Sequence, residues 1–300
     1  MYHRPVLMEE CLDGLSIQEG GTYIDFTYGG GGHARGIMER LDKGRLIAFD
    51  QDSEAEKNAI KDKRFLFIRG NFRYVQNYLR FHGIKTIDGA LADLGVSSHQ
   101  FDVAERGFSF RYDSAIDMRM NKESRIKAED ILKNYTERDL RDLFRKYGEL
   151  KNSGKLASVI CTSRQNQKLD TTDRFLEAID DCIPEKNRQK YLAKVFQALR
   201  IEVNEEIDSL KEMLEGVCSY MRMGSRFVII TYHSLEDRIV KNYFRTGNVE
   251  GEVKKDFYGN VESPFKPVNR NVILPGTKEI DNNPRARSAK LRIAEKTVDG

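Results

Sequence analysis

Three aspartates and a run of glycines have the types and spacing from which a binding chemistry can be read. Tyr28-Gly29-Gly30-Gly31-Gly32-His33 follows a mainly apolar segment, Tyr23 to Thr27, which holds one carboxylate, Asp25. Asp50 follows a second apolar segment, Leu46 to Phe49, about 20 residues beyond the glycines. Asp93 stands near the end of a further one, Ile87 to Leu94. Glycines let the backbone turn sharply and approach a ligand closely. A carboxylate at the Asp50 spacing can accept hydrogen bonds from ribose hydroxyls. Together these residues point to a nucleoside-containing ligand. A carboxylate just before the turn, Asp25, can also pair with an ammonium group. S-adenosylmethionine carries one and NAD does not, which directs the reading toward a methyl donor. NAD stays open as the alternative, because Gly29, Gly31 and Ala34 satisfy the variant of G-x-G-x-x-G that ends in alanine. His33 stands at the start of the next helix, where capping the helix and touching the ligand are both open to it.

The elements that must hold these residues follow from periodicity. Tyr23 to Thr27 and Leu46 to Phe49 read as short buried strands. Between them Ile37, Met38 and Leu41 share one face of a helix over Ala34 to Leu41, which makes a βαβ unit. Phe65 to Ile68 is a third strand, and Phe72 lies in the turn after it, where it can stack on an adenine. A helix over Val75 to Phe81 leads to the fourth strand, Ile87 to Leu94, and then to Gly95-Val96-Ser97-Ser98-His99-Gln100. Ligands of open parallel sheets bind beyond the carboxyl ends of the strands. Asp25, Asp50, Phe72 and Asp93 all fall at or near such ends. The lead-in, residues 1 to 21, holds His3-Arg4-Pro5-Val6-Leu7 and a helix over Met8 to Leu15.

The strand rhythm stops after Gln100. From about Lys127 to Glu215 the spacing predicts helix after helix. One runs from a capping-box-like start at Thr136, through Leu140, Leu143, Phe144 and Tyr147, to Gly148. Strands resume at Arg226 to Thr231, which runs into Tyr232-His233-Ser234. A helix over Leu235 to Phe244 follows, and Ser288 to Ala294 alternates as a closing strand. The segment between, Thr246 to Arg287, carries four of the six prolines and reads as an extended loop or hairpin. A run of helices inside an α/β chain predicts an inserted domain. The expected division is 1–104 with 218–300 as the sheet domain, and 105–217 as a helical insertion suited to RNA recognition.

Composition narrows the class. A chain of 300 residues can bury a full core, and 39% hydrophobic with 32% charged residues describes a well-charged globular protein. The net charge of +3 neither demands nor excludes nucleic acid, so the local placement of Lys and Arg must decide. Cys11, Cys161, Cys182 and Cys218 form no C-x-x-C pair, which argues for a reducing compartment and against a zinc knuckle or disulfide framework. No metal is expected. No apolar run approaches the ~18 residues of a membrane span, and no signal peptide is read at Met1, so a cytoplasmic location is expected.

Seven blocks, in order, carry a resemblance. They are Asp-Phe-Thr-Tyr-Gly-Gly-Gly-Gly-His (25–33), Asp-Leu-Gly-Val-Ser-Ser (93–98), Glu-Arg-Gly-Phe-Ser-Phe (105–110), Asp-Met-Arg-Met (117–120), Phe-Gln-Ala-Leu-Arg-Ile-Glu-Val-Asn (196–204), His-Ser-Leu-Glu-Asp-Arg (233–238) and Asn-Pro-Arg-Ala-Arg-Ser (283–288). Nearly the whole chain resembles the bacterial small-subunit ribosomal-RNA cytosine-N4 methyltransferase family, RsmH or MraW. The resemblance implies an α/β fold, a class I S-adenosylmethionine-dependent methyltransferase (Rossmann-like) sheet with an inserted all-helical domain. It implies methyl transfer from S-adenosylmethionine to the N4 amine of a cytidine in the decoding region of 16S rRNA. Its cofactor contacts carry over to Gly31, Gly32, His33, Asp50, Phe72, Asp93 and Gln100. Gln100 rests on the resemblance alone.

The chemistry needs more than a cofactor site. An exocyclic cytosine amine is a poor nucleophile, so it must be held in line with the methyl group and relieved of a proton. The base must also leave any stack. Asp93, Ser97, His233 and Asp117 are the candidates for that pocket. The acidic-Pro-Pro-aromatic motif of amino-methyltransferases is replaced here by Asp93-Leu94-Gly95-Val96. For RNA, Arg106, Arg111, Arg119, Arg285 and Arg287 are candidate phosphate contacts, and Phe108, Phe110 and Tyr112 candidate stacking residues. A methyltransferase of another RNA or DNA site and a non-catalytic RNA-binding assembly factor remain alternatives. A C5-cytosine enzyme is disfavoured, because none of the four cysteines follows a proline. The substrate is 16S rRNA, within the 30S subunit on this reading; no membrane partner is expected and a homodimer stays open.

Overall fold

The computed structural model describes residues 5–259 and 261–298, so His3 and Arg4 of the lead-in lie outside the described residues. The chain forms two compact units, Met1–Gly95 with Ile207–Gly300, and Val96–Glu206.

The first unit is built on seven strands: β1 (Thr22–Asp25), β2 (Arg45–Asp50), β3 (Phe65–Arg69), β4 (Ile87–Asp93), β5 (Met221–Thr231), β6 (Phe265–Pro267) and β7 (Lys290–Lys296). Their order across the sheet is β3-β2-β1-β4-β5-β7-β6. The pairs from β3 to β5 are parallel, and β7 runs antiparallel to both β5 and β6. Ile24, Ile47, Ala90, Leu91 and Phe227 to Ile230 are fully buried. These strands are covered on both faces, and for that reason they read as continuous apolar runs rather than as alternation. The order β3-β2-β1-β4-β5-β7-β6 with an antiparallel β7 is the class I methyltransferase arrangement that the resemblance implies. The order reverses at β1 and β4, the place where open α/β sheets bind their ligands.

The helices of this unit before the second are α1 (Met8–Leu15), α2 (Gly32–Arg40), α3 (Ser53–Glu56) and α4 (Val75–Phe81). Leu12, Leu15, Ile37 and Met38 from α1 and α2 pack with Val228, Ile230, Leu291 and Ile293 of the sheet. Another cluster is aromatic: the Phe26 ring centroid lies 5.7 Å from Phe49 and 6.3 Å from Phe227. Such ring pairs contribute about 0.5–1.5 kcal/mol each beyond their buried area.

The second unit holds α5 (Ser98–Asp102), α6 (Ala128–Asn134), α7 (Glu137–Lys146), α8 (Ser153–Asn166), α9 (Thr172–Ala178) and α10 (Arg188–Asn204). Leu140, Leu143 and Phe144 of α7 are buried, as are Leu156 and Ile160 of α8 and Val195 and Leu199 of α10. Thr136 caps α7, its hydroxyl accepting the Asp139 amide at 3.2 Å. Extended pairing among its described residues is confined to one isolated bridge, Ala115 with Thr171.

The first unit then continues through α11 (Glu206–Cys218), α12 (Ser234–Thr246) and α13 (Thr277–Asn282). From Ile207 on, α11 packs with the sheet unit. The Tyr243 hydroxyl donates to the Leu214 carbonyl at 2.8 Å, and the Asn71 amide reaches Ser209 Oγ at 3.3 Å. The proline-rich segment read as an extended loop or hairpin contains β6 and α13. Three residues, Phe-Lys-Pro, are too few to show alternation, and their strand exists through pairing with β7.

Candidate active site

The glycine turn is shaped by backbone conformation. Gly29 and Gly31 have φ of 51° and 75°, the left-handed region. A Cβ on Gly31 would lie 2.6 Å from the Tyr28 ring, and one on Gly32 would lie 2.2 Å from Pro5 Cγ. Gly31 is the N-cap of α2, which starts without a side-chain cap.

Asp50 ends β2 and reaches back to the turn. Its Oδ2 accepts the Gly29 amide at 2.7 Å and its Oδ1 accepts the Asp52 amide at 2.8 Å. Burial raises its carboxyl to about 6 against the pull of these amides. Phe72 follows β3 in a single 3₁₀ turn, half-buried, with its ring edge-to-face to Phe26 at 6.2 Å.

Asp25 ends β1 and is fully buried. Its Oδ1 accepts the Thr27 amide at 3.0 Å, while its Oδ2 has no hydrogen-bond partner. Burial raises it to about 6, with His33 and the Thr27 amide acting the other way. An orphaned buried carboxylate oxygen is costly unless something cationic meets it. His33 is buried too, and its Nε2 lies 3.0 Å from the Val6 carbonyl. A carbonyl only accepts, so Nε2 carries the hydrogen and Nδ1 is bare. Burial lowers the His33 pKa and keeps the ring neutral.

Asp93 ends β4. Its backbone amide donates to Thr27 Oγ1 at 2.6 Å, its Oδ1 accepts the Tyr232 hydroxyl at 2.8 Å, and its Oδ2 lies 3.8 Å from His33 Nδ1. Burial is the main cause that raises its carboxyl to about 7, with the Tyr232 bond opposing and Glu236 adding. The Tyr232 phenol is pushed well above its ordinary value by burial and by Asp93.

Gly31, Gly32, His33, Asp50, Phe72 and Asp93 therefore share the carboxyl end of the sheet with Asp25. His233 is in this unit as well, as the N-cap of α12. Its Nε2 lies 3.0 Å from Glu236 Oε1 without forming a hydrogen bond, so the contact is electrostatic. Ser97, Gln100 and Asp117 belong to the second unit. Ser97 and Gln100 form a capping box at α5: the Gln100 amide reaches Ser97 Oγ at 3.2 Å, and the Ser97 amide reaches Gln100 Oε1 at 3.1 Å. Asp117 is held by the Arg119 fork, with bonds of 2.8 Å to Oδ1 and 2.7 Å to Oδ2. Burial would raise its carboxyl, but the Arg119 side chain and amide hold it below the usual range. Both oxygens of Asp117 are thus engaged by Arg119.

Several expected RNA contacts are spent internally. Arg106 is buried and donates to the Arg119 and Met120 carbonyls, each at 2.9 Å. Phe108 is buried, and Phe110 packs edge-to-face on Phe196. Arg111, Tyr112, Arg285 and Arg287 are exposed. Thr27 and Tyr232 were not singled out by sequence reasoning. Their one legible signal is position: each directly follows, or nearly follows, a strand whose end carries the site.

The profile of the MraW methylase family matches residues 1–297. The chain belongs to that family. Similar proteins include one from Bacteroides fragilis (strain YCH46), 57% identical over 296 residues, with 98% of this chain and 97% of the relative covered. One from Flavobacterium johnsoniae is 52% identical, with 98% of each covered. Both are named Ribosomal RNA small subunit methyltransferase H. Among solved structures, an rRNA methylase from Streptococcus thermophilus is 13% identical, with 99% of each chain covered and a TM-score of 0.41. As a MraW methylase the chain is a methyltransferase, and its cofactor is S-adenosylmethionine. The residues present fit that cofactor. Asp25 offers a buried, unpartnered oxygen to an ammonium, and Asp50 stands where ribose hydroxyls are expected.

Proposed function

We propose that this MraW methylase methylates the N4 amine of a cytidine in the decoding region of 16S rRNA, acting within the 30S subunit. The support is the family, the names of its relatives, and one observation above all. Three carboxylates, Asp25, Asp50 and Asp93, end three adjacent strands around the glycine turn, and one of their oxygens is buried without a partner. S-adenosylmethionine supplies an electrophilic methyl group when bound.

The chain's own residues do the rest. Gly31 and Gly32 let the backbone lie against the cofactor, and His33 opens α2 beside it. Asp25 receives its ammonium, Asp50 its ribose hydroxyls and Phe72 its adenine face; the resemblance adds Gln100 to these contacts. Asp93 has one oxygen on Tyr232 and the other available to an N–H group. A carboxyl near 7 is matched to proton exchange at neutral pH, so Asp93 also serves as acceptor for the amine proton. Ser97 and His233 remain candidates for holding the flipped base. The helical unit recognises RNA, with exposed Arg111 and Tyr112 as its first candidates for contact, and exposed Arg285 and Arg287 are the candidates on the sheet unit.

The test is methyl transfer from labelled S-adenosylmethionine to 30S subunits lacking the modification, followed by nucleoside analysis. N4-methylated cytidine at one position supports the proposal. Label in another nucleoside overturns the target, and cofactor binding without transfer supports an assembly factor instead.

A further inference from the structure

We propose that Tyr232 is a positioning residue that fixes the Asp93 carboxylate and leaves a single oxygen, Oδ2, for the ligand. The inference rests on the reading of Asp93 as part of the cofactor site. Asp93 pairs in register with Ile230 across β4 and β5, and Tyr232 stands two residues beyond Ile230. Side chains two apart on an extended chain share a face, so the phenol falls beside Asp93. Its backbone is anchored independently: the Tyr232 amide donates to Glu236 Oε2 at 3.0 Å, in the cap of α12.

The consequence is a carboxylate with little freedom. Its backbone amide is tied to Thr27 Oγ1, and its Oδ1 accepts a phenol that stays protonated throughout the working pH range. The nearest recorded partner of Oδ2 among the described residues is the bare Nδ1 of His33, at 3.8 Å, beyond hydrogen-bond reach. An N–H from cofactor or substrate can take that position. The titratable groups that face Asp93 are Tyr232 after β5, Glu236 on α12, His33 on α2, Asp25 on β1 and Cys11 on α1. Of these, Tyr232 alone donates a hydrogen bond to the carboxylate, so it alone favours the ionised form directly.

The experiment uses the full chain with Tyr232→Phe and follows S-adenosylmethionine affinity by calorimetry across pH 5 to 9. The wild-type chain binds more tightly as Asp93 ionises. In the variant that rise is expected at least ~0.5 pH units higher, with affinity converging on wild type at the alkaline end. A purely structural role weakens binding at every pH and leaves the midpoint in place, and an unchanged midpoint overturns the proposal. Asp93→Asn supplies a second check: in that background Tyr232→Phe is expected to change affinity less than twofold. A larger change there also overturns it. No RNA is needed, so a wrong rRNA target leaves this test intact.

Discussion

The amide of Gly29 donates to Asp50 Oδ2 at 2.7 Å, joining the first glycine of the turn to the carboxylate at the end of β2. Asp50 thereby holds the turn, and the proposed function gives it a second task, meeting the ribose. Asp50→Ala is expected to lower S-adenosylmethionine affinity about 100-fold, since it orphans the Gly29 and Asp52 amides as well as the ligand. Asp50→Asn keeps one acceptor oxygen and is expected to lose less. Calorimetry checks the order; equal losses would remove the turn-holding task.

Gly31 and Gly20 separate conformational strain from crowding. Their φ values are 75° and 76°, but a Cβ on Gly20 meets nothing within 4 Å, whereas one on Gly31 meets the Tyr28 ring at 2.6 Å. Gly20→Ala is expected to cost about 1 kcal/mol of stability, the strain alone. Gly31→Ala is expected to cost about 2–4 kcal/mol, because the ring must move. Denaturant midpoints measure both, and equal shifts would mean that Tyr28 yields freely.

The carboxyl cluster sets a pH dependence with a definite sign. Asp25 and Asp50 stand at about 6 and Asp93 at about 7, all above the ordinary 3.8. Between about 4 and 7 the folded chain binds more protons than the unfolded one. The contribution of these groups to stability is therefore greatest at low pH and is lost as pH rises through that window. A cationic ligand offsets the loss. The rise in Tm on adding S-adenosylmethionine is expected to be larger at pH 8 than at pH 5, as thermal denaturation would show; the reverse order would remove these carboxyls from the ligand's surroundings.

Asp117 and Arg119 test whether the Asp-Met-Arg-Met block is chemistry or architecture. Asp117→Ala leaves the Arg119 fork, among the described residues, with the Ser124 carbonyl as its one hydrogen-bond acceptor. A loss of about 1–3 kcal/mol in stability is expected, with S-adenosylmethionine affinity unchanged within twofold. Arg119→Ala should be destabilising to a similar degree. A variant of full stability that has lost methyl transfer would return Asp117 to the reacting centre.

The βαβ unit was legible because its signals are local. Tyr23 to Asp52 shows apolar runs, helical spacing and a glycine turn within 30 residues, and the observed β1, α2 and β2 lie there. Placing Asp25, Asp50, Phe72 and Asp93 at strand ends needed no more than that. The charged blocks after Gln100 were harder. Arg106 and Phe108 look like a basic-aromatic RNA patch in sequence, yet both are buried. An arginine that serves two backbone carbonyls has the same composition signal as one that awaits a phosphate. The α11 helix continues the helical run in sequence and packs with the sheet unit from Ile207 on, because its partners Asn71 and Tyr243 lie far away along the chain.

What the amino-acid sequence determined by itself is what short-range physics controls: apolar periodicity, the positions where glycine permits a left-handed backbone, and the family blocks in their order. Which donor meets which acceptor was decided only by the tertiary structure. Tyr232 and Asp93 are 139 residues apart, and their bond exists because β4 and β5 pair in one particular register. A shift of one residue would turn the phenol to the other face of the sheet. Register is set by the packing of the whole core, and no local pattern carries it.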